Sequence, residues 1–380
     1  MKWKNRGHEF DVLGESVRKL SAVYLFGAGV LGQAVYKMYY DKLNIKGFID
    51  NDIRKQGGLC CGLLIYGICD IELEANEAIV ITTQSAHAGI VTRQLEDLGI
   101  IENVYYIHTF FPVFDYYRND EICIPSISFL PSTVCNLRCK HCLNFTTYIK
   151  NHRIRPIEQL KENIDLLFSK IDTIILFHIS GGEPLVYPYL AELIEYVDYC
   201  YGKKIGRIEI TTNGSVIPEI NVVKKLYTAN VHVIVDDYRN ALSQEYSEKY
   251  SQLIDLFEKY MIDYSALKAS SWIDLAPFDT KHTNLSEKWL CEHFNTCDVQ
   301  RQEYREGKLY LCNYSSYADF AGIQPAQRNE YIDLNGVNND NRGELLEFRL
   351  GYSEKGYTEF CKRCAGFHNN PNSVDVGEQV

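Results

Sequence analysis

Three cysteines on one short stretch, Cys135-Asn-Leu-Arg-Cys139-Lys-His-Cys142, constrain this chain more than any other feature. C-x3-C-x2-C puts three thiolates on one tight loop. Three ligands suit a four-iron cluster with one iron left open, whereas structural zinc normally takes four closed ligands. The competing account is a zinc loop completed by a distant residue. The chain carries 13 cysteines in 380 residues, and its opening segment MKWKNRGHEFDVLGESVRKL has no apolar signal core. Both point to a reducing, cytoplasmic setting in which metal ligation explains clustered cysteines better than disulfides. No apolar run reaches the roughly 18 residues that span a bilayer, so no membrane partner is expected. With 39 basic and 50 acidic side chains, a net charge of -11, nucleic acid is not an expected partner either.

At roughly 150 residues per domain, the length predicts two or three domains. Residues 1–118 read as a small α/β unit. Strand-length apolar runs at 22–26, 45–50, 77–83 and 104–107 alternate with helical patterns at 31–43 and 89–98. Residues 119–282 continue the alternation, with strands at 126–130, 173–179, 207–212 and 231–236 and a late strand at 264–275. Helices are expected at 157–167, 189–199, 222–227 and 247–259. Such βα repetition implies parallel sheets with functional residues at the C-terminal ends of strands. Residues 283–380 lose this rhythm and carry Cys297, Cys312, Cys361 and Cys364, as expected of a small module organised by a metal centre.

Ser180-Gly-Gly-Glu-Pro-Leu185 ends the strand that follows the first cysteine group, and Thr211-Thr-Asn-Gly214 ends the next. Glycines permit close backbone approach, and Glu183 offers a carboxylate to an ammonium group. In combination with C-x3-C-x2-C, these motifs resemble the radical SAM superfamily. The resemblance covers residues 126–364 when the later cysteines are included. It implies a partial (β/α)6 barrel with a [4Fe-4S] cluster on Cys135, Cys139 and Cys142, its open iron chelated by S-adenosylmethionine. It further implies that Gly181, Gly182, Glu183, Thr212 and Asn213 contact that cofactor and that His141 lies against the adenine. Ile234 stands where many relatives carry a polar cofactor contact. An external electron donor of flavodoxin or ferredoxin type would reduce the cluster.

Cys297-x9-Gly307-x4-Cys312 followed by Cys361-x2-Cys364 resembles the start of the SPASM auxiliary-cluster module. No cysteine follows Cys364, so the pattern is similar to the shorter twitch module, with one auxiliary [4Fe-4S] cluster on these four residues. A four-cysteine zinc knot is the alternative, and Cys291 is a substitute for Cys297 at an unusual spacing.

Gly27-x-Gly29-x-x-Gly32 lies between strand and helix, and Asp50 ends the next strand. This fits phosphate binding at a helix N-terminus with an acid for a ribose hydroxyl. It resembles small Rossmann-like domains attached to sugar-modifying enzymes, with a nucleotide or nucleotide-sugar as ligand. The alternative is a docking role. Thr82, Thr83 and Ser85 would line the same crevice.

The resemblance leads to hydrogen abstraction from a sugar-like substrate, such as a nucleotide-sugar, ending in oxidation (dehydrogenation) or epimerisation. His178, Lys268 and Trp272 are candidate catalytic residues. A peptide-modifying maturase is the alternative enzyme, and a non-enzymatic iron–sulfur or zinc sensor a more remote one.

Overall fold

The computed structural model describes residues 1–380 except 84, 269, 298–301, 368, 369 and 371; of Ser85 and Ala86 it describes only the backbone. The N-terminal sheet contains β1 (Ala22–Phe26), β2 (Ile45–Ile49), β3 (Leu59–Cys60), β4 (Leu63–Tyr66), β5 (Glu77–Ile81) and β6 (Val104–Tyr106) in the order β3-β4-β2-β1-β5-β6. Its pairs are parallel apart from the β3–β4 hairpin. Both faces of β1 are covered, which is why the strand reads as an unbroken apolar run. Val23 and Leu25 pack with Val35 and Tyr39 of α2 (Val30–Tyr39), while Tyr24 and Phe26 pack with Val91 and Leu95 of α3 (Ser85–Asp97). The helices α1 (Asp11–Arg18) and α4 (Ile107–Phe114) complete this part.

A second sheet begins with β7 (Cys123–Phe129), β8 (Thr173–Ile179), β9 (Ile205–Thr212), β10 (His232–Asp237) and β11 (Tyr264–Lys268), all parallel. The helices α5 (Ile157–Phe168), α6 (Leu190–Tyr201), α7 (Ile220–Thr228) and α8 (Gln244–Lys259) connect them. Leu160, Ile164, Leu193, Val223 and Leu253 on these helices belong to the main core with Phe129, Phe177 and Ile179 of the strands.

Sequence periodicity does not reveal how this sheet ends. β12 (Trp272–Ile273) does not extend β11; it pairs antiparallel with β16 (Ser373–Val374). The expected strand at 264–275 therefore divides. β11 lies at the sheet edge with its second half exposed, while Trp272 packs edge-on against Tyr238 at 5.0 Å. After α9 (Glu287–Thr296), β13 (Gln302–Arg305) pairs in parallel with β7 on the opposite side. β14 (Lys308–Tyr310) and β15 (Tyr331–Asp333) follow antiparallel. The sixth parallel strand thus comes from beyond residue 282. The helices α10 (Asn313–Phe320) and α11 (Arg342–Arg349) flank this addition.

The N-terminal part docks on the outside of the second sheet through α2 and α4. Tyr39 Oη donates to Asp115 Oδ2 at 2.5 Å and lies 3.3 Å from Cys123 Sγ, the first residue of β7. Gly206 permits this contact, since a Cβ there would stand 2.6 Å from Met38 Sδ. Among the described residues, no helix is long and apolar enough to cross a membrane.

Candidate active site at the strand ends

The loop after β7 and the loop after β8 pack backbone to backbone. Gly182 N–H donates to Ser132 O at 3.0 Å and Glu183 N–H to Val134 O at 2.9 Å. A Cβ on Gly181 would lie 2.4 Å from Ser132 O, and one on Gly182 2.1 Å from Val134 O. The two glycines are therefore required by the neighbouring cysteine loop itself. Glu183 lies beneath this contact, 1% exposed. Its carboxylate accepts from Leu185 N–H at 2.9 Å, Thr212 Oγ1 at 2.8 Å and Asn213 N–H at 2.8 Å. Burial pushes its pKa up to about 7, against the opposing effect of these donors. Glu183 thus joins the ends of β8 and β9.

Each thiol of the first group has its own donors. Leu137 N–H at 3.5 Å and Asn213 Nδ2 at 3.8 Å both point at Cys135 Sγ. Thr146 Oγ1 donates to Cys142 Sγ at 3.2 Å, and Gln379 Nε2 to Cys139 Sγ at 3.2 Å. Burial pushes Cys135 up to about 12 and Cys139 up to about 11. Without a metal these thiols remain protonated at neutral pH; a cationic centre would favour the thiolates and use the donors around them. The donor set fits an iron–sulfur group. His141 holds Asp274 through Nδ1 at 3.0 Å and faces Glu378 through Nε2 at 3.7 Å. Ile234 is half-buried on β10.

Cys312, Cys361 and Cys364 are buried and Cys297 partly so. Their charges interact: Cys312 is pushed up first by burial and then by Cys297, Cys361 and Cys364. Cys291 instead donates to Lys355 O at 3.2 Å. Among the described residues, no group of three or more His, Cys, Asp or Glu side chains is arranged to hold a single metal ion.

Strand register sets a row of polar residues across the sheet. Glu303 of β13 pairs with Ser128, Ser128 with His178, His178 with Glu209, and Glu209 with His232. All five are buried. His178 Nε2 lies 2.9 Å from Thr211 Oγ1, and Ser128 Oγ lies 2.9 Å from Tyr317 Oη on α10. The Glu303 carboxylate faces the Ser316 hydroxyl of α10, and Arg305 Nε is 3.9 Å away. Burial pushes Glu303 up to about 7. Of the three catalytic candidates, His178 lies in this row, Trp272 lies against Tyr238, and Lys268 is exposed at the β11 edge. Sequence reasoning missed Glu303, Tyr317 and Gln379. An acidic residue next to an aromatic one in a short strand carries no signal until its pairing partner is known.

At the N-terminal glycine turn, Gly27 has φ +127° and a Cβ on Gly32 would stand 2.0 Å from Gly27 O. A Cβ on Gly29 meets nothing within 4 Å. Asp50 is engaged locally, accepting from Ala28 N–H at 3.1 Å and pairing with Lys55 Nζ at 2.9 Å. Thr82 Oγ1 donates to Gly27 O at 3.1 Å. A Cβ on Gly27 would stand 3.1 Å from Thr83 Cγ2, so Thr83 adjoins the turn. The Ser85 side chain lies outside the described residues.

Residues 129–264, which supply the cysteine loop, the Glu183 brace and the Thr212–Asn213 turn, match the model of the Radical SAM superfamily. This stretch of the chain therefore resembles a radical SAM domain. Over 83 residues the chain is 34% identical to the antilisterial bacteriocin subtilosin biosynthesis protein AlbA of Bacillus subtilis (strain 168), covering 22% of this chain and 17% of AlbA. It is 30% identical over 135 residues to the putative glycyl-radical enzyme activating enzyme MJ1227 of Methanocaldococcus jannaschii, covering 33% of this chain and 53% of that protein. The crystal structure of BtrN in complex with AdoMet and 2-DOIA aligns with 68% of this chain and 97% of its own, at 19% identity and a TM-score of 0.43. The chain thus spans well under two thirds of these two curated relatives.

Proposed function

We propose that this chain is a radical SAM oxidoreductase acting on a sugar-like substrate, such as a nucleotide-sugar, by dehydrogenation or epimerisation. When bound, S-adenosylmethionine and two [4Fe-4S] clusters supply a 5′-deoxyadenosyl radical and an electron acceptor. Cys135, Cys139 and Cys142 hold one cluster; Cys297, Cys312, Cys361 and Cys364 hold the other. The reading rests above all on α10. This helix begins directly after Cys312, and its Tyr317 reaches Ser128 on β7. The second cysteine group is thereby fixed to the wall that carries the first. Glu303, His178 and Glu209 supply the buried polar surface that a hydroxylated substrate needs, and burial keeps water from the reacting carbon. The N-terminal turn is assigned to the nucleotide handle, with Gly27, Gly29, Gly32 and Asp50 shaping it. A flavodoxin- or ferredoxin-type donor reduces the first cluster.

A peptide-modifying maturase is the second reading, favoured by the likeness to AlbA, a bacteriocin biosynthesis protein by name. Anaerobic reconstitution followed by a screen for substrate-stimulated 5′-deoxyadenosine release separates the two. Stimulation by sugars or nucleotide-sugars is expected. Stimulation by peptides alone would transfer the assignment, and absence of 5′-deoxyadenosine under every condition would overturn the radical SAM reading.

A further inference from the structure

The segment 373–380 is clamped onto the cysteine loop from a distance of 240 residues in sequence. Gln379 forms an antiparallel bridge with Cys139. Lys140 N–H donates to Glu378 O at 2.8 Å and Val380 N–H to Arg138 O at 3.0 Å. The Gln379 amide is oriented by both ends. Its Oε1 accepts from Arg138 N–H at 2.7 Å, and its Nε2 donates to Gly377 O at 2.7 Å and to Cys139 Sγ at 3.2 Å. Glu378 adds an ion pair to Lys140 Nζ at 3.0 Å. Upstream, Val376 is buried in the main core and β16 is paired to β12, so the segment is anchored before it reaches the loop. Cys139 is the buried member of the three thiols; the other two are partly exposed.

A hydrogen bond to a cluster sulfur stabilises added negative charge and so raises the potential at which the cluster accepts an electron. We propose that Gln379 is a positioning residue for the three-thiolate site, and that its Nε2–H···Sγ bond to Cys139 raises the potential of the cluster held there. The inference rests on the radical SAM reading of that loop. Gln379→Glu keeps the side chain's length and an acceptor for Arg138 N–H, but it replaces the donor with a carboxylate oxygen whose charge acts in the same direction as loss of the bond. Gln379→Ala removes donor and acceptor together and reads the loss without added charge.

The test is a potentiometric titration of the reconstituted full chain, followed by EPR on the signal that changes when S-adenosylmethionine is added. At the wild-type midpoint, Gln379→Glu is expected to show a reduced-to-oxidised ratio about tenfold lower, equivalent to 59 mV for one electron. Gln379→Ala should show a smaller fall in the same direction. Wild-type midpoints in both variants would overturn the proposal. Loss of the first cluster's iron in both would also overturn it, leaving the segment as a structural latch. A wild-type protein with no S-adenosylmethionine-sensitive signal would instead count against the radical SAM reading.

Discussion

Glu183 Oε2 accepts the backbone N–H of Asn213 at 2.8 Å while its Oε1 takes the Thr212 hydroxyl at the same distance, so one buried carboxylate ties together the loops after β8 and β9. Glu183→Ala leaves those donors and the Leu185 N–H without their acceptor. The expected loss of stability is about 3 kcal/mol, from buried donors left unsatisfied. Glu183→Gln keeps one acceptor oxygen and turns an NH2 toward the remaining donor, so its loss should be about half as large. Chemical denaturation of the three proteins gives the order, and equal stability in all three would contradict the brace.

Iron content separates the two cysteine groups. The reconstituted chain should hold about eight iron atoms, and replacement of Cys135, Cys139 and Cys142 by alanine should leave about four. The triple variant should no longer cleave S-adenosylmethionine. Cys361→Ala with Cys364→Ala should retain cleavage and lose net substrate oxidation. Iron and zinc analysis with a 5′-deoxyadenosine assay measures all of these outcomes, and one zinc in place of the second cluster would remove the auxiliary centre from the proposal.

Glu303 gives a pH signature that needs no substrate. Its folded pKa, raised from 4.5 to about 7 by burial, means that the folded state holds the proton more tightly than the unfolded chain. The resulting stability is fully present below about pH 4.5 and is lost as pH rises through about 7. The change is on the order of 3 kcal/mol. Glu303→Gln carries no titrating proton. Its stability relative to wild type should therefore rise between pH 5 and pH 8, whatever constant offset the loss of the charge beside Arg305 introduces. Parallel denaturation curves at the two pH values are the measurement; a pH-independent difference would refute the buried acid.

Two glycines of the N-terminal turn should behave oppositely. Gly32→Ala drives a Cβ to 2.0 Å from Gly27 O and should cost several kcal/mol. In Gly29→Val the added Cβ meets no atom within 4 Å, and the expected cost is about 1 kcal/mol, from the poorer helix N-cap. If the turn holds a phosphate, Gly29→Val abolishes calorimetric binding of nucleotides and nucleotide-sugars to the full chain. Substrate-independent cleavage of S-adenosylmethionine should remain at the wild-type level. A wild-type chain that binds none of these compounds would leave docking as the role of this part.

The local chemistry was legible along the chain: C-x3-C-x2-C, the glycine–glycine–glutamate turn and the alternation of apolar strands with amphipathic helices. These signals lie within a few residues of one another, and side-chain spacing along a strand or helix is fixed by backbone geometry. The sequence left unread what long-range pairing decides. The antiparallel joining of Trp272–Ile273 to Ser373–Val374 takes the end of the expected late strand out of the sheet, and the parallel joining of Gln302–Arg305 to β7 supplies a sixth parallel strand. That second pairing places Glu303 beside Ser128 and His178, and Gln379 reaches Cys139 across 240 residues. The glycines of the Ser180–Pro184 turn show the same division: their presence was legible, but the reason for them is the approach of Ser132 and Val134. Short strands of two to four residues carry too little periodicity to name their partners. Their register is settled only when buried backbone groups find acceptors in the assembled sheet.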